Sequence, residues 1–300
     1  MATTVSVLIP CYNAAPFLPA ALDCLRSQSH KTWELIVVED GSKDDTEAIV
    51  QRFAAEMSQP VRYVNLGRNS GVAAARNRLL ALAEGEINAF LDADDLWRPS
   101  HLATLLHCLQ RGKHALAFSG IELWDSDLRR ITGTYRPHPE LLPTPRRSLF
   151  LRSFIQTSSC VALPRSTVTR TGWFDETLRI GEDRDYWFRA LADGGTLGCT
   201  GSDTCCYTKH AGSSMTATLK VAADTVRFYE KHSRADDIPS GMRTRLLADA
   251  RWNHARLLRR LDPVEARSLG WRAWRATPLR PHLFAWCLFA SVIRRNGTTP

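Results

Sequence analysis

The first half of the chain repeats one pattern, a short β-branched run followed by a helix-length segment. VSVLIP, WELIVVE, VRYVNL and INAFL are separated by stretches that predict helices at about 15–28, 46–57 and 72–83. Strands joined by helices of that length must run parallel, because the crossover is too long for a hairpin, and the helices cover both faces of the sheet. The pattern confines this half to an α/β fold. Ligands of such sheets sit beyond the carboxyl ends of the strands. Those ends carry Pro10-Cys11-Tyr12-Asn13, Glu39-Asp40-Gly41-Ser42 and Asp92-Ala93-Asp94-Asp95. Ser42 and Asp45 have the spacing of a capping box, Ser70 stands where it can cap the third helix, and Gly85 follows that helix.

Further on, a helix is expected over about 99–110, then a strand in ALAFSGIELWD. The four prolines of PHPELLPTPRR predict an irregular crossing loop. A short apolar strand, a turn at Gly172 and a helix beginning near Glu182 come next. From about Leu219 the pattern is helical, with breaks at Pro239, Pro263, Pro278 and Pro281. The expected division is therefore an α/β domain over 1–218 and a helical extension over 219–300.

With 300 residues, 44% of them hydrophobic, the chain can bury a full core. The N-terminus enters a strand without a basic segment and long apolar run, so no signal peptide is expected and the body is placed in the cytoplasm. Eight scattered cysteines without CxxC spacing fit reduced thiols better than a disulfide framework or a zinc site. The net charge of +8 belongs to the tail: residues 242–300 hold twelve arginines, no lysine and three acids. That places a basic surface on the tail rather than on the whole protein.

FLDADDLWRP runs a strand into three carboxylates. At about 4 Å and an effective dielectric near 20, each like-charged pair costs roughly 4 kcal/mol, so something must offset the repulsion. Alternate residues of an extended segment face one way, so Asp92 and Asp94 can converge on one hard divalent ion. A solvated turn with Asp94 or Asp95 capping the next helix is the competing reading.

Read together, VSVLIPCYNAAPFL, WELIVVEDGSKDDT, GRNSGVAAARN, FLDADD and GEDRDYWFR resemble family 2 glycosyltransferases, over roughly residues 5–215 and in the family's order. The resemblance implies a GT-A type, Rossmann-like mixed sheet flanked by helices. It also implies an inverting transfer of a sugar from a nucleotide-diphosphate sugar, a UDP-sugar first, to a glycan or lipid-linked acceptor in surface polysaccharide or glycoconjugate biosynthesis. Carried over residue by residue, it implies that Pro10, Tyr12, Asn13, Asp40, Arg76, Asp92 and Ala93 hold the nucleotide sugar. Asp40 would accept from a ring N–H, and Glu39 departs from the family's usual aspartate. Asp94 would ligate Mn2+ or Mg2+, joined by His210 of YTKHAGSSMT, and Asp95 would start the next helix. An inverting transfer needs a carboxylate to take the acceptor's proton. Asp183 is the candidate base, and spacing leaves Glu182 open.

A catalytically silent scaffold of the same fold is the rival reading, which intact DADD and GED motifs disfavour. A sugar nucleotidyltransferase lacks support because no glycine-rich phosphate loop is present. In the tail, LFAWCLFASVI is too short to span a bilayer, which needs about 20 residues. Its tryptophan, phenylalanines and flanking arginines fit an interfacial helix on the anionic cytoplasmic membrane face; packing on the catalytic domain is the alternative. No nucleic-acid partner is expected, since the tail offers charge without a binding motif.

Overall fold

The computed structural model describes residues 3–125, 130–209 and 218–289, and divides into two compact units, residues 1–213 and 214–300. In the first unit β1 (Val5–Cys11), α1 (Leu18–Arg26), β2 (Trp33–Glu39), α2 (Thr46–Glu56), β3 (Val61–Asn65), α3 (Val72–Leu82) and β4 (Ile87–Phe90) alternate as expected. β5 (Leu96–Trp97), α4 (His101–Gly112), β6 (Leu116–Asp125), β7 (Arg130–Tyr135), α5 (Pro145–Leu151), β8 (Val161–Pro164), α6 (Arg165–Thr171), α7 (Glu182–Ala190) and β9 (Leu197–Lys209) complete it. The sheet runs β3-β2-β1-β4-β8-β6-β9-β5, with β7 beside β6. It is mixed: β3, β2, β1 and β4 are parallel, β8 is antiparallel to β4 and β6, and β9 is parallel to β6.

β1 and β2 are buried along almost their whole length because both of their faces are covered, as a parallel sheet requires. α1 buries Leu18, Ala21, Leu22 and Leu25, the spacing of a helix with one apolar face. α7 drives Tyr186 and Trp187 into a fully buried cluster with Phe90 and Phe174, in which the Phe174 and Tyr186 rings stack at 4.1 Å.

Several local expectations give way to tertiary bonds. The capping box does not form: Asp45 is itself the N-cap of α2 and makes no side-chain cap bond, and the Ser42 hydroxyl turns back to Glu39. The α3 cap is Gly71 at φ +98°, while the neighbouring Ser70 gives its amide to Asp40. The proline-rich segment is not all loop, since Pro145 opens α5, the first helical position where its missing N–H costs nothing. β9, thirteen residues of LGCTGSDTCCYTK, was not signalled by an apolar run.

The second unit holds α8 (Thr218–Lys231), α9 (Ser240–Leu258), α10 (Pro263–Ala276) and α11 (Pro281–Phe289); α8 starts one residue before the anticipated Leu219, and α9, α10 and α11 start at or just after Pro239, Pro263 and Pro281. Glu230 of α8 joins Arg251 of α9 and Arg272 of α10 through one oxygen, at 2.8 and 2.7 Å. α11 sits within this unit: Leu283 packs with Ala248 and Ala273, and Trp286 with Ala255, Leu258, Ala266 and Leu269. Part of the anticipated tail helix, residues 290–293, lies outside the described residues.

Gly41 combines φ +80° with a Cβ position 2.6 Å from the Arg68 carbonyl carbon, so a side chain there meets both backbone strain and a backbone clash. Gly41→Ala is expected to lower unfolding free energy by about 1–3 kcal/mol in chemical denaturation. A stability equal to that of the parent would show that the two loops do not approach this closely.

Candidate functional site

The carboxyl ends of β1, β2 and β4 lie side by side because the three strands are adjacent in the sheet. The first two are stitched together. The Asn13 amide donates to Ser42 Oγ at 2.6 Å, Ser42 donates on to Glu39, and the Ala15 amide donates to Asp44 at 2.9 Å. Asn13 turns the chain with φ +50°, a conformation asparagine tolerates better than most residues. Tyr12, 53% exposed, is left presenting its ring beside Asn13, and Pro10 is the one half-buried residue of β1.

Asp40 is buried, and its two oxygens accept the Ser70 and Gly71 amides at 2.7 and 2.8 Å. The EDGS turn and the NSG turn before α3 are therefore one structure rather than two loops. Arg179 closes it from outside, donating to the Ser70 carbonyl at 2.9 Å. Glu39 is buried, and its Oε2 has no hydrogen-bond partner among the described residues; burial raises its pKa, and the Ser42 hydrogen bonds only partly offset this.

Arg76 is the centre of the site. α3 buries it to 4% exposure, where one guanidinium nitrogen donates to Asp92 at 2.9 Å and another to Glu182 at 2.5 Å. It is not an exposed helix arginine. Burial opposes its charge, yet Asp92, Glu182 and Asp183 hold its pKa above the ordinary value. Its buried Nε has no hydrogen-bond partner among the described residues. Arg76 thus draws GED, 106 residues after it in sequence, together with DADD, 16 residues after it.

The two carboxylates of GED differ. Glu182 is 7% exposed and tied to Arg76, whereas Asp183 is half-buried and takes its own neighbour's amide, from Arg184 at 2.6 Å. Burial, with the Asp183 charge adding, pushes Glu182 up to about 7; burial also raises Asp183.

Asp95 corrects one expectation. It does not start a helix: Ser100 is the N-cap of α4, and Asp95 is 1% exposed in the interior. Its oxygens accept Thr157 Oγ1 at 2.8 Å, Ser159 Oγ at 2.6 Å and the Thr208 amide at 2.9 Å. Ser159 Oγ in turn accepts the Asp92 amide at 2.9 Å, so the buried acid reaches through a hydroxyl to fix the backbone of DADD. Thr157 and Ser159 were missed from sequence; TSSC carries no motif, and only burial shows its hydroxyls. Burial and the charges of Asp94 and Asp92 raise the Asp95 pKa strongly.

Asp92 and Asp94 offer the hard oxygen donors that Mg2+ or Mn2+ prefers. The negative field they help to build is felt at Cys11, whose thiol is raised by burial first and then by Glu39, Asp44, Asp92 and Asp94. This donor set fits a divalent ion. Among the described residues no three His, Cys, Asp or Glu side chains cluster to cage one, so phosphate or water oxygens would have to complete its shell. Ala93 is buried between the two acids. His210 lies outside the described residues, two positions after Thr208.

Comparison with known proteins places this mixed sheet with its acidic strand ends in a family. The model of glycosyl transferase family 2 matches residues 6–170, more than half of the chain, and the chain belongs to that family. It is 37% identical over 123 residues to the putative teichuronic acid biosynthesis glycosyltransferase TuaG of Bacillus subtilis, covering 41% of this chain and 48% of that protein. To the putative colanic acid biosynthesis glycosyl transferase WcaA of Escherichia coli it is 24% identical, over 76% of this chain and 81% of the other. The fold matches that of Staphylococcus aureus TarS 1–349 in complex with UDP, with TM-score 0.68 at 19% identity over 97% of this chain and 88% of that one. It also matches the Pyrobaculum calidifontis mannosyltransferase PcManGT in complex with GDP-Man and Mn2+, with TM-score 0.64 at 19% identity over 99% and 89%. The chain spans about half the length of the first of these relatives.

Asp95→Ala removes the acceptor of three buried donors and is expected to cost about 2–4 kcal/mol of stability, while Ser159→Ala costs about 1–2 kcal/mol. Urea unfolding of both variants checks this; a neutral Asp95→Ala would contradict the buried network.

Proposed function

We propose that the chain is an inverting glycosyltransferase that moves a sugar from a nucleotide-diphosphate donor, a UDP-sugar first, to a hydroxyl of a glycan or lipid-linked acceptor. The observation that carries this reading is the Arg76 bridge, which sets GED against DADD at the strand ends of a family 2 chain. Relatives named for teichuronic and colanic acid biosynthesis support a role in surface polysaccharide assembly. Structures of the same fold hold UDP, UDP-GlcNAc or GDP-Man, which supports a nucleotide-sugar donor.

In this reading Tyr12 stacks on the base, and Pro10, Asn13, Asp40 and Ala93 shape the cleft for the nucleoside. Arg76 acts from below, holding Asp92 and Glu182 rather than reaching the phosphates. Asp183, the less constrained carboxylate, takes the acceptor hydroxyl's proton. The acceptor oxygen then bonds to the anomeric carbon as the bond to the diphosphate breaks, and the electron pair leaves with the diphosphate. Asp94, with His210, would hold Mn2+ or Mg2+; when bound, such an ion neutralises charge on the leaving diphosphate. The basic helical unit would attach peripherally to the cytoplasmic membrane face. No helix among the described residues is long and apolar enough to cross a membrane.

A thermal-shift panel of UDP-, GDP-, dTDP- and CMP-sugars with and without Mn2+ tests donor binding, because a ligand of the native state raises its stability. A metal-dependent shift with one donor class is expected; no shift with any donor would sink the reading. Asp183→Asn is expected to abolish transfer and leave the donor shift intact, and an active variant would move the base to Glu182.

The pH profile supplies a second check. A base works only as the carboxylate, so the rate must rise as pH climbs through its pKa. Since burial raises Asp183, the acid limb of kcat/KM is expected above the ordinary aspartate value of about 4. A limb at or below that value would contradict a base whose pKa its surroundings raise.

A further inference from the structure

The helical unit presents a surface that sugar transfer does not use. On α10, Val264, Arg267, Trp271 and Arg275 recur at three- and four-residue spacing and form one stripe. Beside it α11 turns out Phe284 and Leu288, one helical turn apart. The two helices meet there: the Phe284 ring lies 5.8 Å from Trp271 and 5.1 Å from Trp274. α11 carries no acid, lysine or arginine, and no acid stands on the stripe.

The apolar members are open to solvent. Val264 is 70%, Leu288 48% and Phe284 39% exposed, although the other side of α11 is already buried through Leu283 and Cys287. A helix that needed only to pack would keep its outer side polar. The arginines are equally uncommitted. Arg272 and Arg280 are spent on Glu230 and Asp249, whereas Arg267 and Arg275 make no ion pair with a described residue. An aromatic and aliphatic strip flanked by two such arginines matches a surface that is apolar below and anionic above.

We propose that this α10–α11 face docks onto an anionic phospholipid bilayer, with Trp271, Phe284 and Leu288 entering the boundary between headgroups and acyl chains and Arg267 and Arg275 on lipid phosphates. The inference deepens the membrane part of the proposed function by naming the surface and the partner. Charge selects lipid over a second copy of the chain, because a two-fold contact through this face would bring like-charged arginine pairs together. Each arginine near an anionic surface contributes about a fivefold gain in partitioning, and the apolar side chains supply the rest.

The test reads binding without any sugar donor, so its failure is separate from failure of the transferase reading. The full chain is sedimented with vesicles of phosphatidylcholine alone and of phosphatidylcholine mixed with phosphatidylglycerol. It is expected to pellet with the anionic vesicles and to stay in solution with the neutral ones. Phe284→Glu with Leu288→Glu, and separately Arg267→Gln with Arg275→Gln, should each weaken partitioning on the order of tenfold while the thermal midpoint stays that of the parent. Hydrogen exchange on the unmodified chain gives a measurement free of folding effects: amides of 264–288 should gain protection when anionic vesicles are added. An intact chain that ignores anionic vesicles, variants that pellet like the parent, or unchanged exchange over 264–288 would overturn the proposal. So would a concentration-dependent dimer that Phe284→Glu with Leu288→Glu dissolves, since the face would then belong to a second copy.

Discussion

The Arg76 guanidinium is the one charge on which the first unit's functional end depends. It is a buried cation, and a lone buried ion costs several kcal/mol after relaxation. Asp92 and Glu182 repay that cost from two segments far apart in sequence. The same pairing answers why a strand would end in clustered aspartates. Asp92 is neutralised by Arg76, Asp95 is sunk among hydroxyls and an amide, and Asp94 lies between them, half-buried. Three adjacent acids thus have three different environments, which is how one short segment can serve structure and chemistry together.

A second layer of bonds holds that arrangement still. Asp95 grips the backbone of DADD through Ser159 and the end of β9 through the Thr208 amide, while Asp40 grips the turn from which α3, and therefore Arg76, departs. Each of these acids accepts from a segment distant in sequence. Preorganisation of this kind keeps the charges from rearranging during the reaction, where fixed dipoles act most strongly.

Much of the framework was legible in the sequence for a physical reason. β1, β2 and β4 are buried on both faces, so apolar residues dominate them despite Ser6, Glu34, Glu39 and Asn88, and helix-length spacers between them dictate parallel crossovers. The acids of DADD stood out because carboxylates directly after an apolar run are costly, whereas GED stood out only through the family resemblance. What the sequence hid depends on distance. Asp95 looked like a cap because Pro99 and a helix follow it, yet its partners lie 62, 64 and 113 residues away. β9 escaped notice because its buried positions are cysteine and threonine rather than valine and isoleucine: Thr204, Cys205, Cys206 and Thr208. Ser42 and Ser70 were read as caps, but the Ser42 hydroxyl takes the Asn13 amide and the Ser70 amide goes to Asp40.

The bridge itself can be measured most directly by a double-mutant cycle in unfolding free energy with Arg76→Met and Glu182→Gln. Arg76→Met alone strands the buried Glu182 and the half-buried Asp92 and is expected to cost about 3–5 kcal/mol. Adding Glu182→Gln should then cost far less than Glu182→Gln does in the parent, a coupling of at least about 1.5 kcal/mol. Effects that add within about 0.5 kcal/mol would show that the two residues do not depend on each other, and that GED and DADD are not joined through Arg76.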